Sequence, residues 1–183
     1  ATGIHGADGL GGVEVPGAAI PPVPEERAWD VIYREAVAAG GALELIAVGP
    51  LTNLAIAFAK YRELPKLIRR IVIMGGAATL GNTTPAAEFN IYADPEAAEM
   101  VFQSGVPVHM VGLDVTLKSY LTASEIDAIA ALGSEQAKFF HGILQNVLAF
   151  STKLGLPGVS MHDPAAVLYA VDASLFQAEE AGV

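Results

Sequence analysis

Beyond residue 24 the apolar positions fall into two alternating periods. Trp29, Ile32, Tyr33, Ala36 and Val37 recur at the spacing of one helix face, which Gly40-Gly41 ends. Residues 43–48 are then short, apolar and bounded by glycines, the pattern of a strand covered on both faces. The same alternation continues with a predicted helix over 51–61, a strand over 70–74, a helix over 95–104 and a strand over 106–111. Helix and buried strand in turn predict an α/β fold: a mostly parallel open sheet with helices on both faces. About three strands is small against the usual sheet of roughly 5–6, so the first strands of the sheet are expected to be absent from this chain. After Asp114 the pattern turns helical, with Thr122 or Ser124 as a cap and Phe140, Ile143, Leu144, Val147 and Leu148 on one face. Residues 155–158 interrupt it, and a last helix is predicted to begin at Asp163-Pro164. Residues 1–24, rich in Gly and Pro, follow neither period and read as a long surface loop.

Composition narrows this picture. With 52% hydrophobic and 16% charged residues over 183 positions, the chain has material for one core, and a single domain over 1–183 is expected, incomplete at its N-terminus and at its C-terminus. A net charge of -10 works against binding a polyanion, which sets nucleic acid aside as a partner. Cysteine is absent, removing disulfides, thiolate metal sites and cysteine nucleophiles together. No apolar run approaches the roughly 20 residues of a membrane helix, and a cytoplasmic location without membrane contact is the expectation.

Ligands of open α/β sheets bind beyond the carboxyl ends of the strands, so the loops after Val48, Met74 and Val111 are the candidate sites. The first, Gly49-Pro50-Leu51-Thr52-Asn53, reads equally as a turn with a helix cap. In the second, Asp94-Pro95 is a helix cap, whereas Glu88 and Asn90 stand two apart. In an extended segment both would project to one side, with Phe89 on the other. An acid and an amide, with Asn82 nearby, suit a cluster of ribose hydroxyls, because the carboxylate accepts and the amide both donates and accepts. A solvated polar loop is the competing reading. In Met161-His162-Asp163-Pro164 the histidine beside a carboxylate could supply a proton or bind metal, or simply precede an Asp-Pro cap. His109 and His141 fall mid-strand and mid-helix and are read as structural.

Taken in order, residues 5–11, 49–53, 74–76, 81–90 and 162–164 resemble the inosine-uridine-preferring nucleoside hydrolase family, the run from Gly81 through Glu88-Phe89-Asn90 to Asp94-Pro95-Glu96 being the most specific part. The resemblance implies hydrolysis of the bond between ribose and base in purine or pyrimidine ribonucleosides. It also implies a Ca²⁺ ion that holds ribose hydroxyls and the attacking water. By matching positions, Asp163 would bind the metal through its side chain and Val48 through its carbonyl. Asn82, Glu88 and Asn90 would hold the ribose, and Met74 and Phe89 would shape its pocket. His162 would assist the departing base, and His5 would approach from a mobile active-site loop over 1–24. A homodimer or homotetramer is implied as well. The family's aspartate-rich motif, of the type Asp-x-Asp-x-Gly-x-Asp-Asp, occurs nowhere in these residues. Ca²⁺ takes about 6–8 oxygen ligands, so this chain alone is expected to bind it weakly and to hydrolyse nothing. The alternative is a catalytically inactive relative or fragment that binds a nucleoside.

Overall fold

The computed structural model describes residues 8–15 and 25–182. These residues form two compact units.

The larger unit takes in the described residues of 25–117 and 162–182. Helix α1 (Ala28–Ala39) stops at Gly40, whose left-handed backbone directs its N–H to the Val37 carbonyl at 3.2 Å. Strand β1 (Leu43–Ala47) follows, then helix α2 (Thr52–Lys60) and, after a 3₁₀ turn, strand β2 (Ile68–Met74). Helix α3 (Phe89–Ala93) and helix α4 (Pro95–Phe102) lead to strand β3 (Val108–Val111) and the single turn of helix α5 (Leu113–Thr116). As expected from the sequence, Asp94 caps α4, accepting the Ala97 N–H at 3.1 Å ahead of Pro95.

The strands run parallel in the order β1-β2-β3, with Leu45 opposite Ile71 and Ile73 opposite Met110. Alternation then sorts the side chains by face. Leu45, Ala47, Ile71, Ile73 and Val108 meet α1, α2 and α4 in a core with Leu54, Phe58, Ala98 and Val101. On the opposite face Val72, Met74 and Val111 meet Ala165, Ala166 and Tyr169. The last three belong to helix α8 (His162–Val171). Ile71, Val72 and Ile73 are each 0% exposed, because β2 is central and helices cover both faces of the sheet. At about 1.5–3 kcal/mol per buried aliphatic side chain, this strand anchors whatever follows its carboxyl end.

The smaller unit comprises Lys118–Met161 with residues 8–15. Strands β4 (Tyr120–Leu121) and β5 (Val159–Ser160) pair antiparallel. Between them lie helix α6 (Ala123–Ala130), opened by a Thr122–Glu125 capping box, and helix α7 (Glu135–Lys153), capped by Ser134. Asp8 gathers the N–H groups of Leu10 and Gly12 into a turn, and Asn146 on α7 donates to the Gly11 carbonyl at 3.0 Å.

Candidate active site

Two of the four buried polar side chains among the described residues, Glu88 and Asn90, lie by the carboxyl end of β2. Past Met74 the chain turns at Gly75-Gly76, and Gly76 adopts a positive φ of 76° that aims its N–H at the Glu88 carboxylate, 3.0 Å away. The same oxygen of Glu88, Oε2, accepts from the N–H groups of Asn90 at 2.9 Å and Ile91 at 3.3 Å, so Glu88 is also the N-cap of α3. Glu88 is 3% exposed. No buried side-chain polar atom among the described residues lacks a partner, so Oε1, which has none, keeps access to solvent.

Asn90, also buried, donates through Nδ2 to the Met74 carbonyl at 3.0 Å and lies 3.4 Å from the Met74 sulfur. Met74 itself is in the core beneath α8. The expectation of an extended segment at residues 88–90 is corrected here: Phe89 and Asn90 begin a helix, and Glu88 alone is extended. The reason is the cap, since a carboxylate at that position satisfies helix N–H groups that an extended chain would leave to water. The predicted sidedness nonetheless survives, with Glu88 and Asn90 buried and Phe89 half exposed. A solvated polar loop is excluded for Glu88 and Asn90.

The run 81–87 is folded back on itself. The Ala87 carbonyl accepts from the N–H groups of Asn82, Thr83 and Thr84 at 3.1, 3.0 and 3.4 Å. A Cβ on Gly81 would lie 2.3 Å from backbone atoms of Thr84 and Ala87, so only glycine fits. Asn82 is exposed, and its Oδ1 accepts the Phe89 N–H at 2.9 Å and the Thr83 hydroxyl at 3.3 Å.

His162, the first residue of α8, is half buried, and its Nδ1 lies 2.8 Å from the Thr116 hydroxyl. Burial pushes its pKa below the ordinary histidine value, against the opposing pull of the Asp163 and Glu88 carboxylates. Asp163 and Val48 border one depression of about 600 Å³, otherwise lined by Pro164, Val167, Leu168 and Val171. Val48 and Asp163 thus border the same depression, whose other lining residues are apolar. Among the described residues no group of three or more His, Asp or Glu gathers around them, and two donors fall short of the roughly 6–8 oxygens Ca²⁺ requires. The residues present do not form a calcium site by themselves.

The other histidines divide as follows. His109 on β3 lies 2.7 Å from the Tyr169 hydroxyl, and His141 on α7 lies 3.3 Å from Asp127. His5 and most of the expected mobile loop over 1–24 lie outside the described residues.

Sequence reasoning passed over the segment after Val111. Asp114 on α5 accepts from the Ala78 N–H at 2.5 Å and the Thr79 hydroxyl at 2.6 Å. The Leu113 N–H reaches the Gly76 carbonyl at 3.0 Å. The topological rule had pointed to this loop, but no residue in it forms a recognisable polar pair in sequence.

The whole chain, residues 1–183, matches the family model described as inosine-uridine preferring nucleoside hydrolase. The chain belongs to that family. Within it, a pyrimidine-specific ribonucleoside hydrolase RihA of Shewanella sp. (strain ANA-3) is 38% identical over 185 residues, covering 100% of this chain and 58% of the relative. A purine-preferring ribonucleoside hydrolase from Gardnerella vaginalis superposes with a TM-score of 0.90 at 38% identity, over 96% of this chain and 56% of that one. A plant nucleoside hydrolase, PpNRh1, gives 0.91 at 33%, over 97% and 56%. The chain thus spans 58% of the length of the curated relative it matches.

Proposed function

We propose that this protein hydrolyses the N-glycosidic bond of ribonucleosides, releasing ribose and the free base. The observation that carries the reading is Glu88, whose one oxygen is fixed by N–H groups of Gly76, Asn90 and Ile91 while the other stays accessible. A carboxylate so held is pre-organised to accept from ribose hydroxyls, and the amide of Asn82 adds a donor. Asn90 holds the Met74 carbonyl through its Nδ2 and is proposed to meet the ribose through its Oδ1, with the exposed Phe89 shaping the pocket.

In the reaction, water oxygen bonds to the anomeric carbon, the carbon–nitrogen bond breaks with its electron pair passing to the base, and the proton lost by water is balanced by one gained on the base. The sugar acquires oxocarbenium character, so a fixed carboxylate beside it lowers the barrier. His162 donates a hydrogen bond to the departing base and so stabilises the charge that gathers on it, while the base takes its proton from solvent. His5 is proposed as a second group approaching from residues 1–24. Asp163 and Val48 would supply two of the ligands of a Ca²⁺ ion, the ion implied by the family resemblance, and such an ion would orient the attacking water and lower its pKa. The net charge of -10 is compatible with a small uncharged substrate.

A nucleoside-binding, non-hydrolytic role is the second reading, favoured by the two-donor set at Val48 and Asp163. Ribose release from inosine and uridine by the protein produced from its natural reading frame separates the two. Hydrolysis of either nucleoside supports the first reading, and tight binding without release supports the second.

A further inference from the structure

Thr116 ends α5 and is 0% exposed, one of four polar side chains buried among the described residues together with Glu88, Asn90 and Ser151. Valine would fill the same space without a hydroxyl to satisfy, and an unsatisfied buried hydroxyl costs on the order of 1–3 kcal/mol in proteins. The Thr116 side chain therefore has a partner that matters. That partner is His162 Nδ1, at 2.8 Å, and the hydroxyl makes no other hydrogen bond among the described residues.

The direction of this bond follows from the burial. A hydroxyl carries one proton and must donate it. If Thr116 accepted from Nδ1–H, its own proton would be sealed in the protein with no acceptor. Donation to Nδ1 is the arrangement that leaves nothing unsatisfied. In the neutral imidazole the proton then resides on Nε2, which makes no hydrogen bond among the described residues and is not sealed from solvent.

We propose that Thr116 is a positioning residue for His162, donating its hydroxyl proton to Nδ1 and thereby fixing the Nε2–H tautomer with Nε2 presented to the ligand. The use of that Nε2–H toward a departing base rests on the proposed function; the tautomer does not. The same turn of helix also carries Asp114, which holds the Ala78 N–H and the Thr79 hydroxyl, and Leu113, which holds the Gly76 carbonyl. One short segment after β3 thus sets both the loop that feeds Glu88 and the ring of His162, so the two groups share one frame.

The test is a nitrogen–proton correlation spectrum of the chain labelled with heavy nitrogen in its histidines, recorded where imidazole is neutral. The expected wild-type spectrum has His162 protonated at Nε2 and bare at Nδ1. Thr116→Val, which keeps the shape, should convert His162 to a mixture of tautomers, and Thr116→Ser should restore the wild-type pattern. His109 and His141, which do not touch Thr116, serve as controls for folding. A wild-type His162 protonated at Nδ1 overturns the proposal, as does a folded Thr116→Val whose His162 signals are unchanged. If Thr116→Val fails to fold, the wild-type and Thr116→Ser spectra still decide. In the natural full-length protein, Thr116→Val should lower kcat about 10–100-fold with KM within about twofold, and Thr116→Ser should recover kcat. A wild-type Nε2–H signal in a protein that releases no ribose would defeat the proposed function and leave this assignment standing.

Discussion

Replacing Glu88 separates its two roles. In Glu88→Ala the N–H groups of Gly76 and Asn90, bonded at 3.0 and 2.9 Å, lose their acceptor at a site that is 3% exposed, and the longer contact to Ile91 is lost as well. A buried donor left without a partner costs about 1–3 kcal/mol, and water entering the vacated space recovers part of that. The loss of stability should be about 2–4 kcal/mol. Glu88→Gln keeps an acceptor oxygen at the cap and forfeits only charge assistance, so it should cost about 0.5–1.5 kcal/mol. Urea unfolding of the chain gives both values. Because the chain divides into two units, amide exchange at Gly76 and Asn90 is needed to assign the loss to the larger one. Glu88→Ala within about 0.5 kcal/mol of wild type, with both amides still protected, would refute the cap and with it the fixed carboxylate.

Three further predictions concern the surroundings of that carboxylate. Gly81→Ala places a Cβ 2.3 Å from backbone atoms of Thr84 and Ala87, so it should destabilise the chain by about 1–3 kcal/mol and free the Phe89 amide from Asn82; unchanged exchange at Phe89 would contradict this. The Asp114 carboxyl is held below its ordinary 3.8, first by the Thr79 hydroxyl and then by the Ala78 N–H. Its contribution is therefore complete above the unfolded value and is lost as pH falls through the lower folded one. The Ala78 amide resonance should titrate with a midpoint below 3.8 and should not titrate in Asp114→Asn, whereas a midpoint at or above 3.8 would be inconsistent with the bond. Calorimetry of the 183 residues with Ca²⁺ should show no binding tighter than about 1 mM, since Val48 and Asp163 would supply two of the roughly 6–8 oxygens required, and micromolar binding would contradict this.

The β-sheet was legible because its three strands are apolar runs bounded by turn residues, a pattern that burial on both faces imposes. Asp94-Pro95 and Thr122 were legible because a cap carries its chemistry in adjacent positions. The strand pair Tyr120–Leu121 and Val159–Ser160 was not, since two residues are too few to show a period. Within the site, Glu88 and Asn90 could be picked out as an acid and an amide two apart, but their geometry could not. The helix that begins at Phe89 depends on the N–H of Gly76, 12 positions earlier, reaching the same oxygen. Thr116 and Asp114 went unseen for a related reason. Their partners, His162 and the 78–79 loop, are 46 and about 35 residues away, and nothing local marks a threonine that will be buried against a histidine.

The central claim is that Glu88 holds the ribose of a nucleoside while the bond to its base is cut. The most direct measurement is ribose release from inosine and from uridine by the natural full-length protein, in wild type and Glu88→Gln form, with folding of the variant confirmed by its amide exchange. The prediction is release by the wild type and a loss of about 100-fold or more in the variant. Release at the wild-type rate by a folded Glu88→Gln protein, or none by the wild type from either nucleoside, would contradict it.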